Sequence, residues 1–189
     1  MAGIELIIAG FGGQGILFLG EILTKAAVLE GKQATWMPSY GPEQRGGTAT
    51  CTVVISDEPI GSPVVADPDV AIVLNRPSME KFEPRIRPGG VLIINRSMVD
   101  AAPSRTDIQV LEIDAVEEAT ALGRPQIANM ILLGALLAVR PVVAFESVAQ
   151  ALALHFPPER HQLVELNVSA VARGATVAHG ERIAHALAS

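Results

Sequence analysis

Six residues near the start of the chain, Gly10-Phe11-Gly12-Gly13-Gln14-Gly15, follow the spacing G-x-G-x-x-G between a short apolar run and a helix-like one. That order is the context in which such a loop binds anions. Glycines without Cβ let the backbone approach closely, and unpaired N–H groups at a helix start, backed by the helix dipole, favour negative charge. A dinucleotide site would also place an acid at the end of the second strand to hold a ribose hydroxyl. Here that position falls near Met37-Pro38, with Glu30 before the strand and Glu43 in the next loop. Two other readings of the motif stay open: a turn needed only for tight strand–helix packing, and a site for a phosphate-bearing ligand other than a dinucleotide, shared with a partner.

A second constellation, Ser39-Tyr40-Gly41-Pro42-Glu43-Gln44-Arg45-Gly46-Gly47-Thr48, gathers the single tyrosine, an acid, an arginine and three glycines on one expected loop. A loop at the carboxyl end of a parallel strand lines the crevice where open α/β sheets bind ligands. Arg45 could clamp a phosphate or carboxylate with its planar fork, or pair with Glu43 to hold the loop. Trp36, just before it, reads as a packing or interface aromatic.

No acid–base pair or nucleophile stands out. Cys51 lies in an alternating run with no helix start or histidine near it in sequence, the setting of a small buried hydrophobe. The pairs His155/His161 and His179/His185 are six residues apart, not the three or four that put two metal ligands on one helical face. Asn129 in an apolar helix needs a hydrogen-bond partner in the core or at an interface. Asp100 and Asp114 follow strands and read as helix caps rather than as a catalytic dyad.

These residues must be positioned by alternating strands and helices. Strands are expected at Ile4–Ala9, Gln33–Met37, Ala49–Ile55, Asp69–Leu74, Val91–Asn95 and Asp107–Ile113. Ile16, Leu19, Leu23 and Ala26/Ala27 mark one apolar face of a helix that Gly31 ends. Further helices are expected at Ser78 to about Phe82, Ala115–Leu122, Pro125–Val139, Glu146–His155 and from Pro157 into the tail, with Ile127, Met130/Ile131, Gly134 and Leu137 facing one way in the third of these. The alternation predicts a Rossmann-like three-layer α/β sandwich with a mostly parallel sheet and a helical C-terminal part, one domain over residues 1–189.

Composition sets the outer limits. With 49% apolar and only 18% charged residues in 189, the chain can fill a core and still carry apolar surface for a partner. A formal charge of -6 without a basic run argues against nucleic acid. One cysteine can neither close an internal disulfide nor ligate an iron–sulfur cluster, which takes about four thiolates. The apolar run Ile127–Val139 falls short of the roughly 18 to 20 residues of a membrane span, and Met1–Ala9 lacks a basic leader, so a soluble cytoplasmic protein is expected.

Taken together, GFGGQG, SYGPEQRGGTATCTVVISD, DVAIVLNRPSMEKFEP, RPGGVLIIN and the Asn129-containing NMILLGALLA resemble the gamma subunit of the 2-oxoacid:ferredoxin oxidoreductases, and ELNVSAVARG is similar to that family's closing helix. The resemblance implies a multi-subunit enzyme that decarboxylates a 2-oxoacid on thiamine diphosphate, reduces ferredoxin through [4Fe-4S] clusters and releases an acyl-CoA. It places thiamine diphosphate and Mg2+ with the alpha and beta subunits and the clusters with beta and delta, so this chain binds no cofactor by itself. The gamma subunit would pack on the others and help enclose coenzyme A (CoA). Carried over by motif, Gly12, Gly13, Gln14 and Gly15 with Ser39, Tyr40, Gly41, Glu43, Arg45 and Gly46 are the expected cofactor-side residues, and none is expected to be catalytic. Gln44 stands where many relatives are expected to have Met. A short separate chain of this kind looks most like those of the 2-oxoglutarate enzymes, with branched-chain 2-oxoacids and pyruvate behind. The rivals are a stand-alone nucleotide-binding oxidoreductase and a purely structural interaction module.

Overall fold

Along the chain, β1 (Ile4–Phe11), α1 (Ile16–Leu29), β2 (Gln33–Tyr40) and β3 (Thr48–Ser56) come first, followed by β4 (Val70–Val73), α2 (Arg76–Phe82), β5 (Val91–Asn95) and β6 (Gln109–Ile113). Four helices complete it: α3 (Ala115–Ala121), α4 (Ala128–Val139), α5 (Phe145–His155) and α6 (His161–Ala188). The computed structural model describes residues 3–41 and 47–188. Every expected strand and helix is present, with ends displaced by a few residues.

The strands form one six-stranded sheet in the order β2-β3-β1-β4-β5-β6. β4 and β5 carry apolar residues on both faces and are buried throughout, as central parallel strands must be. Parallel pairing runs through β1, β4, β5 and β6, whereas β3 is antiparallel to both β1 and β2. The sheet is therefore mixed. Successive residues of β1 serve opposite layers: Leu6 and Ile8 join the cluster built on α1, α4, α5 and α6, while Ile7 and Ala9 join Met79 and Phe82 of α2. This gives three layers, helices on both sides of one sheet.

α4 departs from its expected single apolar face. Of its residues only Leu137 and Ala138 are less than fully buried, because the helix lies between the sheet and α6. The crossing with α6 is close enough that a Cβ on Gly134 would fall on the Val171 carbonyl, and one on Gly174 on the Ile131 carbonyl. Two glycines one opposite the other let the backbones meet. The helix expected from Pro125 opens with a 3₁₀ turn, Pro125–Ile127, before the α-helix proper.

The two expected aspartate caps are corrected. Asp114 occupies the N-cap position of α3 but caps no N–H with its side chain; the carboxylate instead takes a forked bond from Arg96. Asp100 starts no helix and faces Arg76 at 3.7 Å. At Asp114 the charge-assisted fork from Arg96 takes the carboxylate that would otherwise cap the helix, whereas at Asp100 no helix follows for it to cap. A side-chain cap does form at Asn75, whose Oδ1 accepts the Ser78 N–H at 2.9 Å to start α2.

Candidate functional site

β1 leaves the sheet into α1 on one face, and its parallel neighbour β4 leaves into α2 on the other. The carboxyl ends of these two strands therefore flank the point where the chain diverges, the place at which open α/β sheets offer a crevice. The glycine loop sits there. Gln14 spans the gap: its Oε1 accepts the Phe11 N–H at 2.6 Å and its Nε2 donates to the Leu74 carbonyl at 3.1 Å. The Gln14 side chain thus clasps β1 to β4 rather than projecting outward.

Gly15 is the N-cap of α1 with φ 75°, in the left-handed region, and no side chain caps the helix. Its carbonyl accepts the Leu19 N–H at 3.0 Å and the Asn129 Nδ2 at 3.0 Å. A Cβ at Gly15 would strike the Asn129 amide, so conformation and space both require glycine. The partner that Asn129 needs is therefore the glycine turn itself, and the buried N-terminal end of α4 is what fixes the start of α1. Gly12 and Gly13 are exposed, and open space surrounds the Cβ positions of both beyond a Gly47 oxygen 3.9 Å from that of Gly12.

The second constellation reaches the same end of the sheet by a different route from the one expected. Ser39 and Tyr40 belong to β2, which continues past Met37 and turns back as a hairpin into β3. Both are exposed, Tyr40 at 69%. Gly41 donates its N–H to the Thr48 carbonyl at 2.8 Å, closing the ladder. Glu43, Arg45 and Gly46, with Pro42 and Gln44, lie outside the described residues. The hairpin and the glycine loop are tied by the Gly12 N–H, which donates to the Gly47 carbonyl at 3.0 Å. That bond also spends one of the donors a ligand would use. Among the described residues, Gly13 and Gly15 have N–H groups donated to no protein acceptor.

Because β3 intervenes between β1 and β2, the strand that would carry a ribose-binding acid is not next to the glycine loop. That placement does not provide the ribose anchor of a dinucleotide site. Cys51, on β3 beside Ile8, is fully buried, and burial pushes its thiol up to about 12, with Trp36 offsetting only part of the effect. It is no nucleophile. Trp36 itself stands against Gly20 of α1 yet remains 38% exposed, so it both packs and faces outward. His155 lies between Glu21 and Lys25 of α1, 3.3 Å from each, with its ring edge-on to Phe18. No group of three or more metal-ligating side chains occurs among the described residues, and no helix there is long and apolar enough to cross a membrane.

Residues 5–177 match the family model described as pyruvate ferredoxin/flavodoxin oxidoreductase. The chain belongs to this family of 2-oxoacid:ferredoxin oxidoreductase subunits. It is 37% identical to the 2-oxoglutarate synthase subunit KorC of Methanocaldococcus jannaschii, over 92% of this chain and 93% of the relative. It is also 37% identical to the ketoisovalerate oxidoreductase subunit VorA of Methanothermobacter thermautotrophicus, over 91% of this chain but only 36% of VorA. The chain thus spans about a third of the VorA relatives it matches. Among solved structures, the gamma subunit of a keto/oxoacid ferredoxin oxidoreductase from Geobacter sulfurreducens superposes with a TM-score of 0.80 at 32% identity, covering 94% of this chain and 99% of that one. The 2-oxoglutarate:ferredoxin oxidoreductase of Magnetococcus marinus shares the fold, with a TM-score of 0.86 at 21% identity over 95% of this chain and 32% of that one.

Proposed function

We propose that the chain is the gamma subunit of a 2-oxoacid:ferredoxin oxidoreductase complex and that the β1/β4 crevice is its working surface, closing over CoA at a reaction centre held by alpha, beta and delta partners. The observation that carries this reading is the joined pair of loops at the carboxyl end of the sheet. The exposed Gly13 N–H and the Gly15 N–H at the uncapped start of α1 are the backbone donors left there, and the Gly12–Gly47 bond fixes the β2–β3 hairpin beside them. Backbone donors at a helix start suit a phosphate of CoA. Thiamine diphosphate, Mg2+ and the [4Fe-4S] clusters would belong to the partners and supply decarboxylation and electron transfer. This chain's contribution is to bind, orient and exclude water, with Arg45 the residue proposed to meet a phosphate or a partner carboxylate.

The favoured substrate is 2-oxoglutarate. The 37% identity to KorC, over 93% of that relative's length, supports this choice. The competing reading is a purely structural module, which is favoured by the use of the Gly12 N–H and the Gln14 amide inside the chain.

Gly12 separates the two. An added Cβ there meets nothing described closer than 3.9 Å, so Gly12→Asp should leave the fold intact while placing a negative charge at the donor surface. In the assembled complex the KM for CoA should rise about tenfold or more with kcat little changed. An unchanged KM with intact assembly would favour the structural module.

A further inference from the structure

A second concavity opens at the opposite end of the sheet, under the amino ends of β1 and β5. Its volume is about 310 Å³, the lower end of the range that holds small-molecule ligands. Ile4, Ile55, Pro88 and Val142 supply apolar wall, and three cations, Lys32, Arg87 and Arg140, stand around it. Two of these are committed. Lys32 bonds the Val142 carbonyl at 2.6 Å and the Glu30 carboxylate at 2.8 Å. Arg87 forks between Asp69 at 2.9 Å and Glu5 at 2.6 Å, and Asp69 also accepts the Glu5 N–H. Asp57, also on the lining, has its own interaction.

Arg140 differs. It directs one Nη2 donor to the Gly89 carbonyl at 3.1 Å and has no carboxylate within ion-pair distance among the described residues. A half-buried guanidinium held by one backbone carbonyl beside an apolar well presents its remaining donors in a planar fork that matches a carboxylate. We propose that this well binds a small aliphatic carboxylate, with the acid group on Arg140 and the hydrocarbon body against Ile55, Pro88 and Val142. The site draws on none of the glycine-loop residues, so it stands or falls separately from the role proposed for the crevice.

The test is a titration of the isotope-labelled full chain, followed by two-dimensional NMR, with hexanoate, its neutral analogue hexanol and its cationic analogue hexylammonium. Hexanoate should shift the amides of Ile55, Gly89, Gly90 and Val142 together and bind about tenfold more tightly than hexanol, the increment of one charge-assisted fork, with hexylammonium weakest. Arg140→Gln should bring hexanoate down to the affinity of hexanol and leave hexanol unchanged, and Arg140→Lys should restore part of the preference. Hexanoate binding no tighter than hexanol would overturn the proposal, as would shifts scattered away from the well or a preference that survives Arg140→Gln. If Arg140→Gln fails to fold, the three-ligand comparison on the unmodified chain decides the matter alone.

Discussion

Gly15 is the residue on which the crevice depends most directly. Its left-handed backbone lets α1 begin immediately after the loop, and its missing Cβ admits the Asn129 amide to its carbonyl. Replacing it with alanine forces both an unfavourable φ and an overlap with a buried side chain. Gly15→Ala should therefore destabilise the fold by about 1–3 kcal/mol, read as a lower midpoint in urea unfolding, whereas Gly12→Ala at an open position should cost less than about 0.5 kcal/mol. A similar small cost for both would mean that the turn is not held as described. Gln14 belongs to the same scale: sequence motif alone places it among ligand-binding residues, yet its amide is used to join β1 and β4.

Among the elements, the junction between α1 and α5 carries a pH-sensitive contribution. Glu30, at the end of α1, accepts the Ala144 N–H at 2.6 Å just before α5 and pairs with Lys32 at 2.8 Å. Burial alone would raise its carboxyl, but the Lys32 hydrogen bond and then the Ala144 N–H outweigh burial and hold it below the ordinary value of 4.5. A carboxyl lowered in the folded state adds stability above its unfolded value and loses it as pH falls through the folded one. Glu30→Gln should cost about 1 kcal/mol at neutral pH, and the gap in thermal midpoint should narrow as the pH falls below the ordinary value of 4.5 and through the lowered folded one. A gap that persists unchanged into acid would contradict the assignment. Element boundaries were largely legible from periodicity: VAIV, VLIIN and the Ile16/Leu19/Leu23 spacing each carry a local signal. What was not legible is non-local. Nothing in ATCTVVI distinguishes a strand that pairs antiparallel between β1 and β2 from one at the sheet edge, and the alternation is the same in either case. The all-round burial of α4 depends on Gly174 of α6, forty residues from its partner Gly134, and Asn129 meets a turn 114 positions earlier. Likewise Ser39 and Tyr40, with turn-like neighbours, read as loop but are drawn into β2 by pairing with Thr50 and Ala49.

At the scale of the whole molecule, the two ends of the sheet differ in kind. The carboxyl end brings together exposed glycines, an uncapped helix start and the β2–β3 hairpin, with Trp36 and Tyr40 exposed along β2. The amino end carries the apolar well and its cations. The one cysteine is buried with its thiol pushed up to about 12, and the site offers backbone donors rather than a base or nucleophile. In the role proposed above, such a surface would cover and orient a ligand whose chemistry lies on another chain. The most direct measurement is CoA-dependent ferredoxin reduction by 2-oxoglutarate, made with this chain alone, with its partner subunits alone and with the assembled complex. The account predicts turnover only in the assembled complex; turnover by the isolated chain, or undiminished turnover by the partners without it, would contradict it.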